Sequence, residues 1–162
     1  MSGKSNIIII GVIILVLGIV GSAYVNVLTT DETTPPITWA DPANEKLVQR
    51  GQAVYDEVCA SCHGDNLEGQ PNWRVKNEEG ILPAPPHDET GHTWHHPDPL
   101  LFTITKDGGQ KNAPEGFISG MPSFSDIMPD EDIWASLAYI KSRWPEEIRK
   151  RHARMSERMK AN

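Results

Sequence analysis

The sequence is poor in cysteine, with two among 162 residues. Two cysteines cannot build the disulfide framework that supports many small secreted domains. Basic residues are also scarce: 15 Lys and Arg face 22 Asp and Glu, which gives a formal net charge of -7. This balance argues against nucleic-acid binding, which normally needs a basic face for the phosphate backbone. The length fits one domain better than two.

A long apolar run occurs at the start of the chain, from Ile7 to Leu28. At about 1.5 Å per residue it reaches about 33 Å, enough to cross the hydrocarbon core of a bilayer. A lysine precedes the run and two acidic residues follow it, so the positive-inside rule predicts a cytoplasmic N-terminus with the rest of the chain outside. Residues 1–28 are therefore expected to be a transmembrane anchor. A signal peptide cleaved near the small residues 21–23 is the alternative.

Three segments of different composition follow: a Pro/Thr-rich linker (29–43), a globular domain (44–145) and a basic helical tail (146–162). Residues 31–140 contain 19 acidic and 6 basic residues, whereas residues 141–162 contain 8 basic and 3 acidic ones. The domain is therefore more acidic than the net charge suggests, which predicts docking to basic partner surfaces. For the basic tail three roles stay open: contact with the acidic domain, with anionic lipid or with a partner protein.

The domain is expected to have a small core and many loops, because the chain contains 13 glycines and 13 prolines and only 38% of its residues are hydrophobic. Apolar residues recur at helical spacing over residues 44–59. Residues 64–129 are predicted to be mostly loop. A second helix is expected to begin at the acidic cluster 130–132 and to carry an apolar stripe as far as Trp144.

Both cysteines lie in one motif, Cys59-x-x-Cys62-His63, which is the pattern of c-type haem attachment. Positions i and i+3 share a helix face, so both thiols can form thioethers to one haem while the histidine places its imidazole under the iron. Zinc and a redox dithiol are the alternatives. Zinc needs further ligands and the chain has no other cysteine, while a thioredoxin-like dithiol needs a βαβ context that is not visible.

The second axial ligand of the iron is expected to be Met121. Its neighbours Gly120 and Pro122 favour an extended loop that can aim the thioether at the iron. Met128 is a second candidate, but it directly precedes a helix start, where an apolar residue usually packs against the helix. The remaining candidates are histidines: His87, His92, His95, His96 and His152.

With Gly51 and Tyr55 ahead of the cysteines, these motifs resemble the class I c-type cytochromes, specifically the membrane-anchored monohaem cytochromes of the bacterial periplasm. The resemblance extends over about residues 45–144. It implies an all-α, loop-rich fold in which the N- and C-terminal helices cross at a glycine around one covalent haem c. It also implies that His63 and Met121 are the axial ligands, and a thioether ligand raises the reduction potential of the iron.

The same resemblance implies a one-electron carrier that is not an enzyme, because both axial positions of the iron are filled. The expected donor is a quinol-oxidising complex (quinol:cytochrome c oxidoreductase), and the expected acceptor is a terminal oxidase or a photosynthetic reaction centre. The expected location is the inner membrane, with one transmembrane pass and a periplasmic haem domain. Two alternatives stay open: a haem subunit fixed in a respiratory or photosynthetic complex, and a sensor or enzyme with a weakly ligated iron.

Residues 83–109 form a longer segment than the smallest family members need, and resemble a loop that covers the haem edge in some anchored cytochromes. Trp73, Arg74 and Trp94 are candidate donors to the haem propionates, since indole N–H and guanidinium groups donate to carboxylates. Ordinary packing or a solvated charge is the alternative for each. The segment's four histidines also raise a copper or other transition-metal site as an alternative to a plain surface loop: His87, His92, His95 and His96.

Overall fold

The computed structural model describes residues 37–160. The predicted anchor, residues 1–28, and the first part of the predicted linker lie outside the described residues. Residues 37–160 form helices and loops with an isolated parallel bridge between Ile81 and Ile118, which confirms the all-α prediction for this part of the chain. None of the helices described is long and apolar enough to cross a membrane.

The α-helices of this region are α1 (Glu45–Val54), α2 (Ala60–His63), α3 (Asp98–Asp107), α4 (Asp130–Ser142) and α5 (Glu146–Lys160). A π turn, Tyr55–Cys59, joins α1 to α2, and a 3₁₀ turn, Thr93–His95, precedes α3.

Helices α1 and α4 cross at Gly51. The side chain of Asn44 begins α1 by accepting a hydrogen bond from the backbone N–H of Leu47 at 3.1 Å. A Cβ at Gly51 would collide with the carbonyl of Ala135 and lie 3.0 Å from the Cβ of Tyr139. Glycine is therefore needed for the close approach of the two backbones. The predicted glycine at the helix crossing is confirmed.

Helix α4 is the centre of the core. Acidic residues 130–132 occupy its first turn, where they complement the helix dipole. Every residue from Ile133 to Lys141 is buried, because α1 and α3 both pack on α4. Arg50 of α1 links the two helix ends by donating from Nε to Asp132 at 2.6 Å and from Nη1 to Glu131 at 3.1 Å.

Helix α3 lies within residues 64–129, a segment that is predicted to be mostly loop, and its position is not predicted from the sequence. The segment contains β-branched residues, which have modest helix propensity, so its sequence gives a weak helical signal. Tertiary packing overrides it: Leu101 is buried, and the ring of Phe102 stacks on Trp134 with centroids 4.3 Å apart. The helix forms because it completes the core against α4.

The last part of the predicted linker, residues 29–43, packs on the domain in the structure. Ala40 is fully buried, Ile37 packs against the core, and the ring of Trp39 stacks on Trp134 at 6.4 Å. Burial of this apolar surface fixes the segment on α4. From Ile37 onward the chain therefore belongs to the domain.

Helix α5 forms within the predicted basic tail and packs on the domain. His152 and Ser156 of α5 are both 0% exposed. His152 donates from Nε2 to the carbonyl of His96 at 2.8 Å, and the hydroxyl of Ser156 accepts from the backbone N–H of Asp98 at 3.0 Å. Of the three roles left open for the tail, contact with the domain is the one that these hydrogen bonds show.

Candidate haem-attachment site

The C-x-x-C-H motif lies where the π turn passes into α2. Cys59 is the last residue of the π turn, and Cys62 and His63 are the last two residues of α2. Cys59 is half-buried, Cys62 is exposed and His63 is 7% exposed. The helix ends at Gly64, whose φ of 81° lies in the left-handed region that favours glycine. The motif thus holds its imidazole inside the fold and one thiol at the surface.

Tyr55 holds the turn that directly follows the motif. Its ring is fully buried and packs on Tyr139, with centroids 5.4 Å apart. Its hydroxyl donates to the carbonyl of Gly64 at 2.8 Å. Burial raises the pKa of Tyr55 above its usual value, so the hydroxyl remains a neutral donor. The aromatic pair expected beside the helix crossing is therefore present and also holds the turn after His63.

The tautomer of His63 is set by a backbone contact. Its Nδ1 lies 2.9 Å from the carbonyl oxygen of Pro85, and because a carbonyl only accepts, Nδ1 carries the proton. Nε2 is then the ring nitrogen with a free lone pair. Burial lowers the pKa of His63, against the opposing effect of the Pro85 hydrogen bond. The ring is thus held in the neutral form that coordinates metals.

The two thiols suit thioether formation better than metal or redox chemistry. Neither is in a disulfide. Burial, with a smaller contribution from Cys62, raises the pKa of Cys59 to about 11, so this thiol stays protonated near neutral pH. Zinc would need further ligands, and within residues 37–160 no group of three or more His, Cys, Asp or Glu side chains is placed to hold a metal ion. The same residues form helices with one isolated β-bridge, so the βαβ context of a thioredoxin-like dithiol is absent from them.

Met121 lies in a loop held against the end of α3. Its carbonyl accepts from the N–H of Gly109 at 3.1 Å, and its own N–H donates to the hydroxyl of Ser119 at 3.2 Å. Its side chain is half-buried. Met128, in contrast, is 5% exposed and belongs to the apolar core around α4, as its position before the helix predicted. Met121 stays the predicted second axial ligand.

Comparison with known proteins identifies the family. The family model described as Cytochrome c matches residues 48–144, which is more than half of the chain. The chain belongs to the cytochrome c family. Its cofactor is accordingly a covalently bound haem c, and its family is one of electron carriers. The matched range includes the C-x-x-C-H motif and Met121, and it ends before α5.

Curated relatives match over a shorter stretch. The chain is 36% identical over 62 residues to the "Cytochrome bc1 complex cytochrome c subunit" of Mycobacterium tuberculosis, and the match covers 38% of this chain and 21% of that protein. The protein of the same name from Mycobacterium leprae is 37% identical over 62 residues, with 20% of its length covered. The match thus spans about a fifth of the relatives' length. No solved structure matches the chain with significance.

The described residues of this cytochrome c domain fit a covalent haem. They supply two thiols outside any disulfide and an imidazole whose Nε2 is left to coordinate. They also supply a thioether in a loop that backbone hydrogen bonds hold in place. This donor set, sulfur and nitrogen without carboxylate, is the one used by His–Met haem iron.

The three candidate propionate donors lie in two places. Arg74 lies over the ring of Trp73 at 3.9 Å, and the same ring stacks on His92 at 5.8 Å. Trp94 instead donates its indole N–H to the carbonyl of Glu89 at 3.4 Å. Its ring packs against a cluster of buried residues that includes Tyr55 and Trp144. Contact with the propionates stays a prediction for all three.

The histidines of the segment 83–109 have separate surroundings. His92 and His96 meet edge to face at 5.3 Å, whereas His95 stacks on Trp94 at 3.8 Å and His87 contacts His63. Within residues 37–160 no group of three or more His, Cys, Asp or Glu side chains is placed to hold a metal ion. The copper hypothesis therefore finds no support in the described part of the domain.

Two residues at the site were missed by the sequence analysis. Pro85 lies 22 residues after His63 and contributes its backbone carbonyl. Because the contact does not involve its side chain, nothing in the sequence marks Pro85 as a partner of His63, apart from its place in a Pro-rich run. The sequence places Trp144 only in an apolar stripe after the acidic cluster 130–132. In the structure it lies just after α4, and its indole N–H donates to the carbonyl of His87 at 2.7 Å. This hydrogen bond connects the end of α4 to the segment that contacts His63.

Proposed function

We propose that this chain is a membrane-anchored monohaem cytochrome c that carries single electrons in the periplasm. The observation that carries the proposal is the motif geometry. Cys59 ends the π turn, and Cys62 and His63 are the last two residues of α2. The Nδ1–H of His63 donates to the Pro85 carbonyl, which leaves Nε2 for iron. A bound haem c supplies a one-electron Fe(III)/Fe(II) couple.

The protein's part in this function is to hold and enclose the cofactor. Cys59 and Cys62 provide the covalent attachment, His63 provides one axial ligand and Met121 the other. Filled axial positions leave no open site on the iron for a substrate, which favours a carrier over an enzyme. His63 is 7% exposed, so its imidazole lies inside the fold.

The proposed location follows from the apolar run. Residues 1–28 would anchor the chain in the inner membrane with the N-terminus in the cytoplasm. The domain would then lie in the periplasm, where cytochromes of type c receive their haem. Membrane anchoring would give the chain access to membrane-bound electron donors and acceptors.

The proposed partners are a quinol-oxidising complex as donor and a terminal oxidase or photosynthetic reaction centre as acceptor. Residues 31–140 carry 19 acidic and 6 basic residues, so basic docking surfaces are expected on these partners. Such encounters are fast and weaken as salt is added. Electron transfer rates that fall with ionic strength would support this docking mode, and rates that rise would contradict it.

A second candidate is a haem subunit fixed within a respiratory complex. Its support is that the curated relatives carry the name of a bc1 complex subunit. Mild detergent extraction followed by native mass analysis separates the two candidates. A free carrier is expected to leave the membrane as a single chain, whereas a fixed subunit co-purifies in constant ratio with a larger complex.

The axial assignment is tested by replacing Met121 with Ala in the purified holoprotein. We expect loss of the absorption band that arises from the sulfur–iron bond and a large fall in reduction potential. Met128→Leu is the matched control, since Met128 packs in the core, and it should keep both properties. An unchanged spectrum in Met121→Ala would remove Met121 as a ligand, because the sulfur–iron bond would then come from another methionine.

A further inference from the structure

His87 lies flat against the histidine of the attachment motif. The rings of His63 and His87 are stacked, with centroids 4.0 Å apart and planes inclined by 21°. The Pro85 carbonyl already holds the edge of the His63 ring through Nδ1. One short segment, Pro85 to His87, thus contacts the ligating imidazole on its edge and on its face.

His87 is itself held from three directions. Its Nδ1 lies 2.7 Å from the hydroxyl of Thr93, and its backbone N–H donates to the carbonyl of Leu67 at 2.7 Å. Its backbone carbonyl accepts from the indole N–H of Trp144 at 2.7 Å. Thr93, Leu67 and Trp144 are all buried, with exposures of 6%, 1% and 2%. Two of these hydrogen bonds hold the backbone of His87, and the third, to Thr93, orients its ring.

These contacts constrain different motions of His63. A hydrogen bond at Nδ1 anchors one atom of the ring edge but restrains rotation about the Cβ–Cγ bond only softly. A flat, immobile ring 4.0 Å away opposes that rotation directly, because turning the His63 ring would drive its atoms into His87. Contacts outside the ligand set are known to orient ligating imidazoles and to tune the metal.

We propose that His87 is a positioning residue that fixes the plane of the His63 imidazole through ring stacking. The inference rests on the proposed role of His63 as the axial ligand of haem c. It explains why a flat, hydrogen-bonded ring occurs at this position, since an aliphatic side chain could fill the space without fixing a rotation. The hydroxyl of Thr93 completes the arrangement by fixing the His87 ring in turn.

The test compares variants of the full chain carrying haem. His87→Leu removes the flat face, His87→Phe keeps it without the bond to Thr93, and Thr93→Val frees the His87 ring. The readouts are the g-values of the oxidised protein by electron paramagnetic resonance and the reduction potential, which depend on the imidazole plane. Thermal unfolding is measured in parallel. His95→Leu is the matched control, because His95 is exposed and stacks on Trp94 instead.

We expect His87→Leu to shift and broaden the g-values and to shift the potential. His87→Phe and Thr93→Val both keep a flat ring but lose the hydrogen bond between positions 87 and 93, so each should change the g-values and the potential less than His87→Leu does. His95→Leu should match the wild type. A His87→Leu protein with lowered thermal stability but wild-type g-values and potential would give His87 a structural role and overturn the inference. If His87→Leu fails to fold, wild-type spectra in Thr93→Val overturn it. Failure of the proposed function is distinct, since the wild type itself would then lack low-spin haem.

Discussion

Lys141 donates from Nζ to both carboxylate oxygens of Asp98, at 2.8 and 2.6 Å, inside the protein. The two residues are 5% and 0% exposed. Lys141 Nζ also donates to the carbonyl of Ala40 at 2.6 Å. The pair therefore joins α4 to α3 and to the segment at the start of the domain. His152 of α5 lies beside it, with Nε2 3.7 Å from Asp98 Oδ1.

Lys141→Met should destabilise the holoprotein by about 3–5 kcal/mol, because it leaves the Asp98 carboxylate buried without its partner. Urea unfolding followed by the haem absorbance measures this loss. The double variant Lys141→Met/Asp98→Leu should recover at least half of it, since apolar residues of similar volume replace a buried pair at little net cost.

The control for this prediction is Lys111→Met. Lys111 pairs with Asp107, four residues earlier in the chain, at 2.7 Å, and its side chain is 63% exposed. Such a pair contributes less than about 1 kcal/mol. Equal losses for Lys111→Met and Lys141→Met would contradict the structural importance of the buried pair.

His152 should make the stability of the domain depend on pH. Burial lowers its pKa from the usual 6.5, with Lys141 acting in the same direction and Asp98 and the His96 carbonyl opposing. Its Nδ1 is buried without a hydrogen-bond partner. Because the unfolded chain then takes up the proton more readily, stability is complete above about pH 6.5 and falls as the pH is lowered.

The measurement is the free energy of unfolding between pH 5 and 7.5, compared with that of His152→Gln. The variant should show a smaller fall toward acid pH. Burial also lowers the pKa values of His87, His92 and His96, so the difference between the proteins, rather than the wild-type slope, carries the test. Parallel curves for His152→Gln and the wild type would contradict the prediction.

Gly51→Ala should destabilise the domain by about 1–3 kcal/mol or more, because a methyl group has no room against the Ala135 carbonyl where α1 crosses α4. Thermal unfolding and the fraction of chains that carry haem are the measurements. Gln52→Ala, at the adjacent exposed position of the same helix, is the control and should stay within about 0.5 kcal/mol of the wild type. A Gly51→Ala protein of unchanged stability would mean that the helices cross elsewhere.

The attachment motif and the start of α4 could be predicted from the sequence because each depends on local spacing. Cys59 and Cys62 share a helix face whatever surrounds them, and the acidic cluster before α4 is a local signal of a helix start. Glycine at the crossing was found only through the family resemblance, since spacing alone does not show which two helices meet.

The rest of the site depends on contacts between distant residues. Asp98 and Lys141 are 43 positions apart, and in sequence each looks like an ordinary surface charge. Pro85 acts through its carbonyl, which every residue has. The ten residues of α3 become a helix because α4 offers them an apolar surface. Side-chain chemistry was thus predictable, whereas partners fixed by tertiary packing were not.

Removal of α5 tests whether the segment beyond the family match belongs to the domain. Ending the chain after Pro145 removes the acceptor of the Asp98 N–H and the donor to the His96 carbonyl. It also uncovers the Asp98–Lys141 pair. At roughly 1 kcal/mol for each lost hydrogen bond, the loss should be at least about 2 kcal/mol in urea unfolding. The haem spectrum should be retained, because none of the proposed iron ligands lies in α5.

The matched control ends the chain after Glu157, which keeps His152 and Ser156 and removes only the last turn of α5. This shorter deletion should leave the unfolding midpoint close to that of the full chain, since the two fully buried side chains of α5, His152 and Ser156, remain in place. If both deletions unfold at the same urea concentration as the full chain, α5 contributes nothing to stability. The buried His152 and Ser156 would then not be required for the stability of the domain. The basic residues of α5 would in that case have to serve a partner outside the domain.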